Sequence, residues 1–323
     1  MNTTKALASK YPIFDGHNDV MLDLVNPDKK DKFSFLDRSD YKHLDLPRAI
    51  DAGFMGGLFA LMVPDRDPKP APAPVDIPDQ WAMPYPDALN LKYSQDTART
   101  MIQCIHDMAE ASGNRVKVVT SVEEIEVCFQ NGTIAMGIHF EGAEPIAPDL
   151  HNLSVYYDQG LRSVGIVWSR PNAFARGVPI QFPGHADHGP GLTDAGKELV
   201  RTCNKMGIMI DLSHLNEKGF WDVAELSDAP LVATHSNAHA LCPSSRNLTD
   251  QQLDAIGASG GLVGINFAVY FLRKDGKPEA DTPIDVIIDH IDYISNRIGV
   301  EHVALGSDFN GALIPTAICD VTG

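Results

Sequence analysis

The sequence predicts an α/β protein that folds as a (β/α)8 TIM-type barrel. Eight short aliphatic or β-branched runs recur along the chain, and amphipathic stretches of helical periodicity lie between several of them. The runs are largely apolar throughout their length, which is typical of parallel strands that helices cover on both faces. An open, doubly wound parallel sheet would produce the same pattern, and it is the alternative fold.

The eight predicted strands are, in chain order, YPIFDGHND, GGLFALMV, TIAMGIHFEG, LRSVGIVW, GIMIDLSHL, PLVATHSN, GLVGINFAV and HVALGSDF. Helical periodicity is clearest in IDVIIDHIDYISNRIG, where isoleucines recur three or four residues apart. A barrel typically takes about 250 residues, so 323 residues are enough for one such domain. We therefore expect a single barrel domain over residues 1–323.

A proline-rich segment, residues 64–86, interrupts this alternation with eight prolines after the second strand. Proline fixes its own φ angle and lacks an amide donor, so this segment is predicted to be an extended loop insertion. The loops that follow the strands of a barrel build its catalytic face. The segment is therefore either a surface insertion without a catalytic role or a wall over the barrel mouth.

Composition narrows the class of protein. Hydrophobic residues make up 44% of the chain, which is enough for a large core, and the formal net charge is −17. An acidic chain without a basic patch argues against nucleic-acid and membrane partners. Five scattered cysteines without a CxxC pair, and no apolar leader at the N-terminus, favour a soluble protein in the cytoplasm. The oligomeric state stays open, a homo-oligomer included.

Ionisable residues stand near the C-terminal ends of five predicted strands. They are His17 and Asp19 on the first strand, Glu141 on the third, His214 on the fifth, His235 on the sixth and Asp308 on the eighth. These ends meet at one mouth of a barrel, where active sites form. Because no basic cluster balances them, the three imidazoles and three carboxylates predict two divalent metal ions, with Zn²⁺ as the first choice.

Two metal ions at such a site share a carboxylate and a hydroxide, and they activate that hydroxide as a nucleophile. Glu141 lies on a middle strand and is the predicted bridging ligand. Asp308 is predicted to contact the substrate and to carry a proton from the attacking water to the leaving group. On the first strand, Asp15 is expected to share one face with His17 and Asp19, because side chains alternate along a strand.

Five motifs occur in an order that resembles the membrane (renal) dipeptidase family, zinc peptidases of the amidohydrolase superfamily. They are DGHND, HFEG, GLTDAGKELVRTCNKMGIMIDLSHL, HSNAHALCPSSRN and LGSDFNG, and the resemblance extends from about residue 12 to the end of the chain. It implies a metal-dependent dipeptidase, whose substrates include dipeptides with a D-residue at the C-terminal position.

The resemblance also assigns residues to roles. It implies that one metal ion binds His17, Asp19 and Glu141, with Asp308 close by or bound. The second ion would take Glu141, His214 and His235. Arg246, in the motif SSRN, would bind the substrate carboxylate, which suits a planar guanidinium.

Departures from the family pattern raise further expectations. Trp168 stands where the family has a substrate-contacting histidine, and we predict that it contacts the substrate and narrows the cleft. Two other outcomes stay open: the indole acts as a neutral donor, or Arg170 reaches in from the same face. Asn310 replaces an acid in the motif DFNG, and the chain ends at Gly323 without the family's closing helix.

Two other functions compete with the dipeptidase interpretation. One is another hydrolase of the superfamily, a lactonase or a deaminase. Deaminases usually carry His-x-His on the first strand, whereas this chain has His17-x-Asp19. The other is a metal-binding homologue with impaired catalysis, which the replacement at Trp168 keeps open.

Overall fold

The computed structural model describes residues 11–26, 33–65 and 80–323. Its strands are β1 (Ile13–Asn18), β2 (Phe54–Ala60), β3 (Trp81–Ala82), β4 (Val116–Val119), β5 (Ile134–Glu141), β6 (Leu161–Gly165), β7 (Gln181–Phe182), β8 (Met209–Asp211), β9 (Val232–Ala233), β10 (Leu262–Asn266) and β11 (Val303–Gly306). Its α-helices are α1 (Val20–Val25), α2 (Leu46–Ala52), α3 (Leu91–Ala111), α4 (Val122–Asn131), α5 (Leu153–Asp158), α6 (Asp194–Met206), α7 (Glu217–Leu226), α8 (Asp250–Ala258) and α9 (Ile284–Ile298).

Eight parallel strands form a nearly closed barrel in the order β1-β2-β5-β6-β8-β9-β10-β11. Each of them overlaps one of the eight predicted runs, so the predicted barrel is confirmed and the open sheet is excluded. The first and last strands approach each other where Asn18 pairs with Phe309 in a parallel bridge. Beside that bridge the amide of Asp308 donates to the carbonyl of His17 at 3.0 Å. The contact between the first and last strands therefore includes His17 and Asp308, two residues of the predicted site.

Local sequence signals explain where the helices between the strands begin and end. Thr193 caps α6, because its side chain accepts a hydrogen bond from the amide of Gly196. Gly207 ends the same helix in the left-handed conformation that glycine adopts without strain. The isoleucine-rich helix α9 buries Ile287 and Ile294 against the barrel, as its periodicity predicts.

The prediction missed β4, which lies outside the barrel path. It pairs with the first half of β5, while β6 pairs with the second half of the same edge. β5 is buried along its whole length, as a strand enclosed by neighbours and helices should be. The main hydrophobic core lies between the barrel and its helices, and it leaves the C-terminal ends of the strands for polar residues.

The proline-rich segment is described only in part, because residues 66–79 lie outside the described part of the chain. Its end is not all loop, since β3 pairs antiparallel with β7. The indole of Trp81 donates to the carbonyl of Gly276 at 2.6 Å, and the hydroxyl of Tyr85 donates to that of Gly177 at 2.8 Å. These two partners lie in loops that follow β10 and β6. Residues 80–86 therefore lie along the barrel mouth.

None of the helices in the described ranges has the length and the apolar composition that crossing a bilayer requires.

Candidate metal centre

The six predicted residues lie together at the C-terminal mouth of the barrel. Glu141 is at the middle of the group. Its Oε2 lies 3.5 Å from Nε2 of His17, and its Oε1 lies 3.1 Å from Nε2 of His214 and 3.7 Å from Nε2 of His235. A carboxylate that directs one oxygen to each side has the arrangement of a bridging ligand.

Ligand atoms of His17, Asp19 and Asp308 form a second close group, all within 4.8 Å of one another. His17 Nε2 lies 3.4 Å from Oδ2 of Asp19. His17 belongs both to this group and to the residues around Glu141. Glu141 therefore lies between His17 and the histidine pair, His214 and His235. The strand ends therefore bring together every residue that the sequence proposed as a ligand.

The electrostatics of the group are those of crowded carboxylates in a buried site. Burial and the neighbouring Glu141 carboxylate raise the pKa of Asp19. Burial alone would lower the pKa of His17, but Glu141 and Asp19 raise it well above its usual range. Burial and the positive charge of Arg246 lower the pKa of His214 to about 4. Negative charge thus collects around His17.

Unpaired buried atoms test whether cations fit this site. Nε2 of His17 and Oδ1 of Asp19 are buried and have no hydrogen-bond partner among the described residues. Nε2 of His214 and Nε2 of His235 face each other 3.1 Å apart. Leaving such groups unpaired in the interior costs about 1–3 kcal/mol each. Imidazole nitrogens and carboxylate oxygens without thiolates suit zinc-like ions, so these residues fit the predicted metal ions.

Asp308 is held in a left-handed backbone conformation, with φ of 59°. The side-chain amide of Asn266, at the end of β10, donates to Oδ2 of Asp308 at 3.0 Å. A Cβ on Gly311 would collide with carboxylate oxygens of both Asp19 and Asp308. Sequence reasoning missed Asn266, although a polar residue that ends an otherwise apolar strand was a visible signal.

Asp15 does not join the ligands, which corrects the expectation that it shares their face. Its carboxylate accepts hydrogen bonds from the amide and the hydroxyl of Ser307 at 2.8 and 2.7 Å. The pairing of β1 with β2 shifts register between Asp15 and Asn18, so the strict alternation of side chains fails there. Asp15 therefore joins the first strand to the end of the last one.

The departure at Asn310 has a structural reason. Its Oδ1 accepts hydrogen bonds from the amides of His43 and Leu44 at 3.2 and 3.1 Å. Its Nδ2 donates to Oδ2 of Asp23 at 3.0 Å, and Asp23 is 1% exposed. An aspartate could accept the two amide hydrogen bonds but could not donate the third. Asparagine is therefore the residue that Asp23 requires.

Replacing this amide by a carboxylate should destabilise the fold. We expect Asn310→Asp to lower the free energy of unfolding by about 1–3 kcal/mol at neutral pH, because a donated hydrogen bond becomes a contact of two carboxylates. Adjacent buried carboxylates raise each other's pKa, so one of them binds a proton in the folded state as the pH falls. The difference in free energy of unfolding between the native protein and Asn310→Asp should therefore become smaller towards acidic pH.

Urea unfolding at neutral and mildly acidic pH measures this effect. Asn90→Asp is the matched control, because Asn90 is an exposed helix cap whose acceptor role an aspartate fills equally well. An Asn310→Asp protein as stable as the control at neutral pH would contradict the interpretation.

Arg246 lies behind the histidine pair and is 4% exposed. Its Nη1 donates to the hydroxyl of Ser236 at 3.1 Å and its Nη2 to the carbonyl of His235 at 3.0 Å. Its Nε has no hydrogen-bond partner among the described residues. Burial lowers the pKa of Arg246 to about 10, so the guanidinium keeps its charge at neutral pH. Arg246 is thus a buried cation that is hydrogen-bonded to the backbone of a candidate metal ligand, His235.

Trp168 follows β6 and forms part of the wall of the mouth. Its indole lies 5.9 Å from the ring of His214, between centroids, and packs against a satellite apolar cluster around Ile180 and Phe271. The ring of Phe271 lies 5.6 Å from the guanidinium of Arg246. The apolar cluster therefore extends from the metal centre to Arg246.

Arg170 does not reach in beside the ligands. Its guanidinium donates to the carbonyl of Val63 at 2.7 Å and to Oδ1 of Asp65 at 3.1 Å, and its Nε lies 3.4 Å from Oε1 of Glu144. These partners belong to the loops after β2 and β5. The same guanidinium lies 4.8 Å from the indole of Trp168, so Arg170 supports that ring from behind.

A parallel (β/α)8 barrel that collects imidazoles and carboxylates at its C-terminal mouth defines a hydrolase of the metal-dependent class. The family model described as membrane dipeptidase (peptidase family M19) matches residues 1–322. The chain belongs to this family. Family, fold and dipeptidase function are thereby confirmed, and the lactonase and deaminase alternatives are set aside.

Two relatives match most of the chain. An uncharacterised protein of Acinetobacter calcoaceticus is 41% identical over 288 residues, which are 89% of this chain and 90% of that protein. The dipeptidase verJ of Clonostachys rogersoniana is 29% identical over 324 residues, 99% of this chain and 78% of that one.

Solved structures show the same likeness. A metallo peptidase from Rhodobacter sphaeroides, liganded with a phosphinate mimic of the dipeptide L-Ala-D-Ala, is 48% identical with a TM-score of 0.91. The alignment covers 96% of this chain and 89% of that one. The probable dipeptidase PvdM of Pseudomonas aeruginosa, 22% identical with a TM-score of 0.81 over 99% of this chain and 89% of its own, shares the fold.

Proposed function

We propose that this dipeptidase works with two divalent cations, Zn²⁺ by preference, bound at the barrel mouth. One cation would be held by His17, Asp19 and Glu141, and the other by Glu141, His214 and His235. When bound, such a pair lowers the pKa of a water molecule and polarises the substrate carbonyl. The observation that supports the pair is the central carboxylate of Glu141, which has imidazole nitrogens near both of its oxygens.

Asp308 would move the proton. The amide of Asn266 occupies its Oδ2, and its backbone is tied to the carbonyl of His17. Oδ1 then has the task of taking a proton from the attacking water and returning it to the leaving nitrogen. The same carboxylate would also contact the substrate.

Arg246 would bind the C-terminal carboxylate of the dipeptide, as its buried guanidinium with an unpaired Nε suggests. Between Arg246 and the metal centre, Trp168, Ile180 and Phe271 offer an apolar surface to the substrate's side chains. The ligand of the Rhodobacter protein mimics L-Ala-D-Ala, a dipeptide whose C-terminal residue is D-Ala. We therefore propose dipeptides with a small apolar C-terminal residue as substrates, a D-residue included.

The number of bound metal ions tests the pair. We expect purified protein to hold about two divalent ions per chain after dialysis, measured by elemental analysis. Glu141→Gln should hold less than one, because the bridging carboxylate is lost, whereas Glu126→Gln, at an exposed position of α4, should match the native protein. A native protein that is fully active with a single ion, or with none, would refute the two-ion arrangement.

The role of Trp168 predicts a change in specificity. An indole fills far more volume than an imidazole, so the native cleft should favour small side chains. We expect Trp168→His to raise kcat/KM for dipeptides with bulky residues by about tenfold relative to L-Ala-D-Ala, as relief of a steric clash worth about 1.4 kcal/mol would.

A panel of L,L and L,D dipeptides measures this preference. Trp221→His is the matched control, because Trp221 lies on α7, and it should leave the preference unchanged. Equal preferences in the native protein and in Trp168→His would show that the indole is only a wall.

A further inference from the structure

The hydroxyl of Thr234 stands between a carboxylate and one of the proposed ligands. Its Oγ1 lies 2.7 Å from Oδ2 of Asp211 and 2.8 Å from Nδ1 of His235. Asp211, Thr234 and His235 are 1%, 3% and 1% exposed. The direct distance from Asp211 Oδ2 to His235 Nδ1 is 4.0 Å, so the hydroxyl is the connection between them.

The direction of these hydrogen bonds follows from counting protons. Oδ1 of Asp211 accepts the amides of Ser213 and Thr234 at 3.0 and 2.8 Å. Its Oδ2 lies 2.7 Å from the hydroxyl of Thr234, so three donors converge on this one carboxylate, an arrangement that favours its ionised form. An ionised carboxylate only accepts, so the single hydroxyl proton of Thr234 goes to Asp211. The hydroxyl oxygen can then only accept from Nδ1 of His235.

We propose that Asp211 is a positioning residue that fixes the tautomer of His235 through the hydroxyl of Thr234. With the proton on Nδ1, Nε2 of His235 keeps its lone pair towards Glu141 Oε1, 3.7 Å away. A metal ligand must present such a lone pair. The inference rests on the proposed function only in taking His235 as a ligand, since the tautomer itself is a property of the metal-free protein.

Within the described ranges, the neighbouring His214 lacks an equivalent arrangement that would fix its tautomer. Nδ1 of His214 lies 2.7 Å from the hydroxyl of Ser169. In the described part of the chain, no carboxylate accepts a hydrogen bond from Ser169, so that hydroxyl can donate or accept. The tautomer of His214 is therefore not fixed in this way, whereas that of His235 is.

This geometry makes an isosteric substitution informative. In Asp211→Asn, the carbonyl oxygen of the new side-chain amide takes the position of Oδ1, because the two backbone amides there need an acceptor. The NH₂ group then faces Thr234 and donates to its oxygen. The hydroxyl proton turns to Nδ1 of His235, and the ring proton moves to Nε2. A side chain of the same shape thus inverts the tautomer and blocks the ligand nitrogen.

Nitrogen-15 NMR of histidine-labelled, metal-free protein reads the tautomer directly, with His235 assigned by its absence from His235→Gln. We expect Nδ1–H in the native protein and in Thr234→Ser, and Nε2–H in Asp211→Asn. Titration with Zn²⁺ against a competing chelator should show about 10–100-fold weaker binding of one ion in Asp211→Asn. Thr234→Ser should bind near the native affinity.

Two further variants separate positioning from mere structural support. Thr234→Val removes the relay, and Asp211→Asn should then add little to it, so the double variant should bind Zn²⁺ no more weakly than Thr234→Val alone. Thr282→Val is the control for losing a buried hydroxyl, because Thr282 is 1% exposed and donates to the carbonyl of Glu279. It should leave both readouts unchanged.

The native spectrum alone can overturn the proposal. Nε2–H at His235 in metal-free native protein would refute it, whether or not the protein proves to use two metal ions. An Asp211→Asn protein that keeps Nδ1–H and native Zn²⁺ affinity would refute it too. Should Asp211→Asn fail to fold, the native spectrum and the comparison of Thr234→Ser with Thr234→Val still decide.

Discussion

Asp308→Asn should lower kcat by about 10³–10⁴-fold while KM and the number of bound metal ions change little. This loss corresponds to about 4–5.5 kcal/mol in the activation barrier. The new amide would keep its oxygen towards the Asn266 donor, which now bonds Oδ2 of Asp308 at 3.0 Å. Its NH₂ group would then face the site, where it can donate a hydrogen bond but cannot accept a proton.

Steady-state kinetics with L-Ala-D-Ala and elemental analysis of the same preparation test this expectation. Asp292→Asn is the control, because Asp292 is exposed on α9 and is not among the candidate site residues. A variant that loses one metal ion together with its activity would show that Asp308 is chiefly a ligand. Turnover within tenfold of the native rate would remove Asp308 from the chemical step.

The barrel was predictable because its signal lies in the strands themselves. A parallel strand that helices cover on both faces must be apolar along its length, and eight such runs are visible in the sequence. The strand β4 was missed because VKVV is short and pairs at the outer half of an edge that β6 completes. The two-residue strands β3 and β7 are defined by their partners rather than by any local pattern.

The candidate ligands were predictable for a topological reason. Once the strands form a barrel, residues at their C-terminal ends must meet, so polar residues there stand out. For residues that support the ligands, such a position is visible but does not reveal the partner. Asp211 and Asn266 each end an apolar strand, as helix caps and turn residues also do, and only the hydrogen bonds to Thr234 and Asp308 reveal their roles.

The misplaced Asp15 shows the limit of face arguments. The alternation of side chains holds only while strand pairing keeps register, and β1 shifts register within three residues of Asp15. Ser307 supplied an alternative partner for its carboxylate from the far end of the chain. A partner so distant in sequence cannot be inferred from a local pattern.

Arg246→Ala should lower kcat/KM for free dipeptides by about 10²–10³-fold, mainly through KM. Losing a buried, charge-assisted contact with a substrate carboxylate costs about 2–5 kcal/mol. A loss of about 10²–10³-fold in kcat/KM corresponds to about 3–4 kcal/mol, which lies within those limits. The guanidinium is buried beside Phe271 on the apolar wall of the cleft, and no residue in the described part of the chain pairs with its Nε. It therefore has both the charge and a free donor to offer.

A substrate without the carboxylate is the matched control for this variant. L-Ala-D-Ala amide should be a poor substrate for the native enzyme, and Arg246→Ala should hydrolyse it about as well as the native enzyme does. The loss would then be confined to substrates that carry the charge. Because Arg246 also donates to the carbonyl of His235, the metal content of the variant must be measured alongside. Equal losses for the acid and the amide, or a loss that follows the metal content, would assign Arg246 to the support of His235 instead.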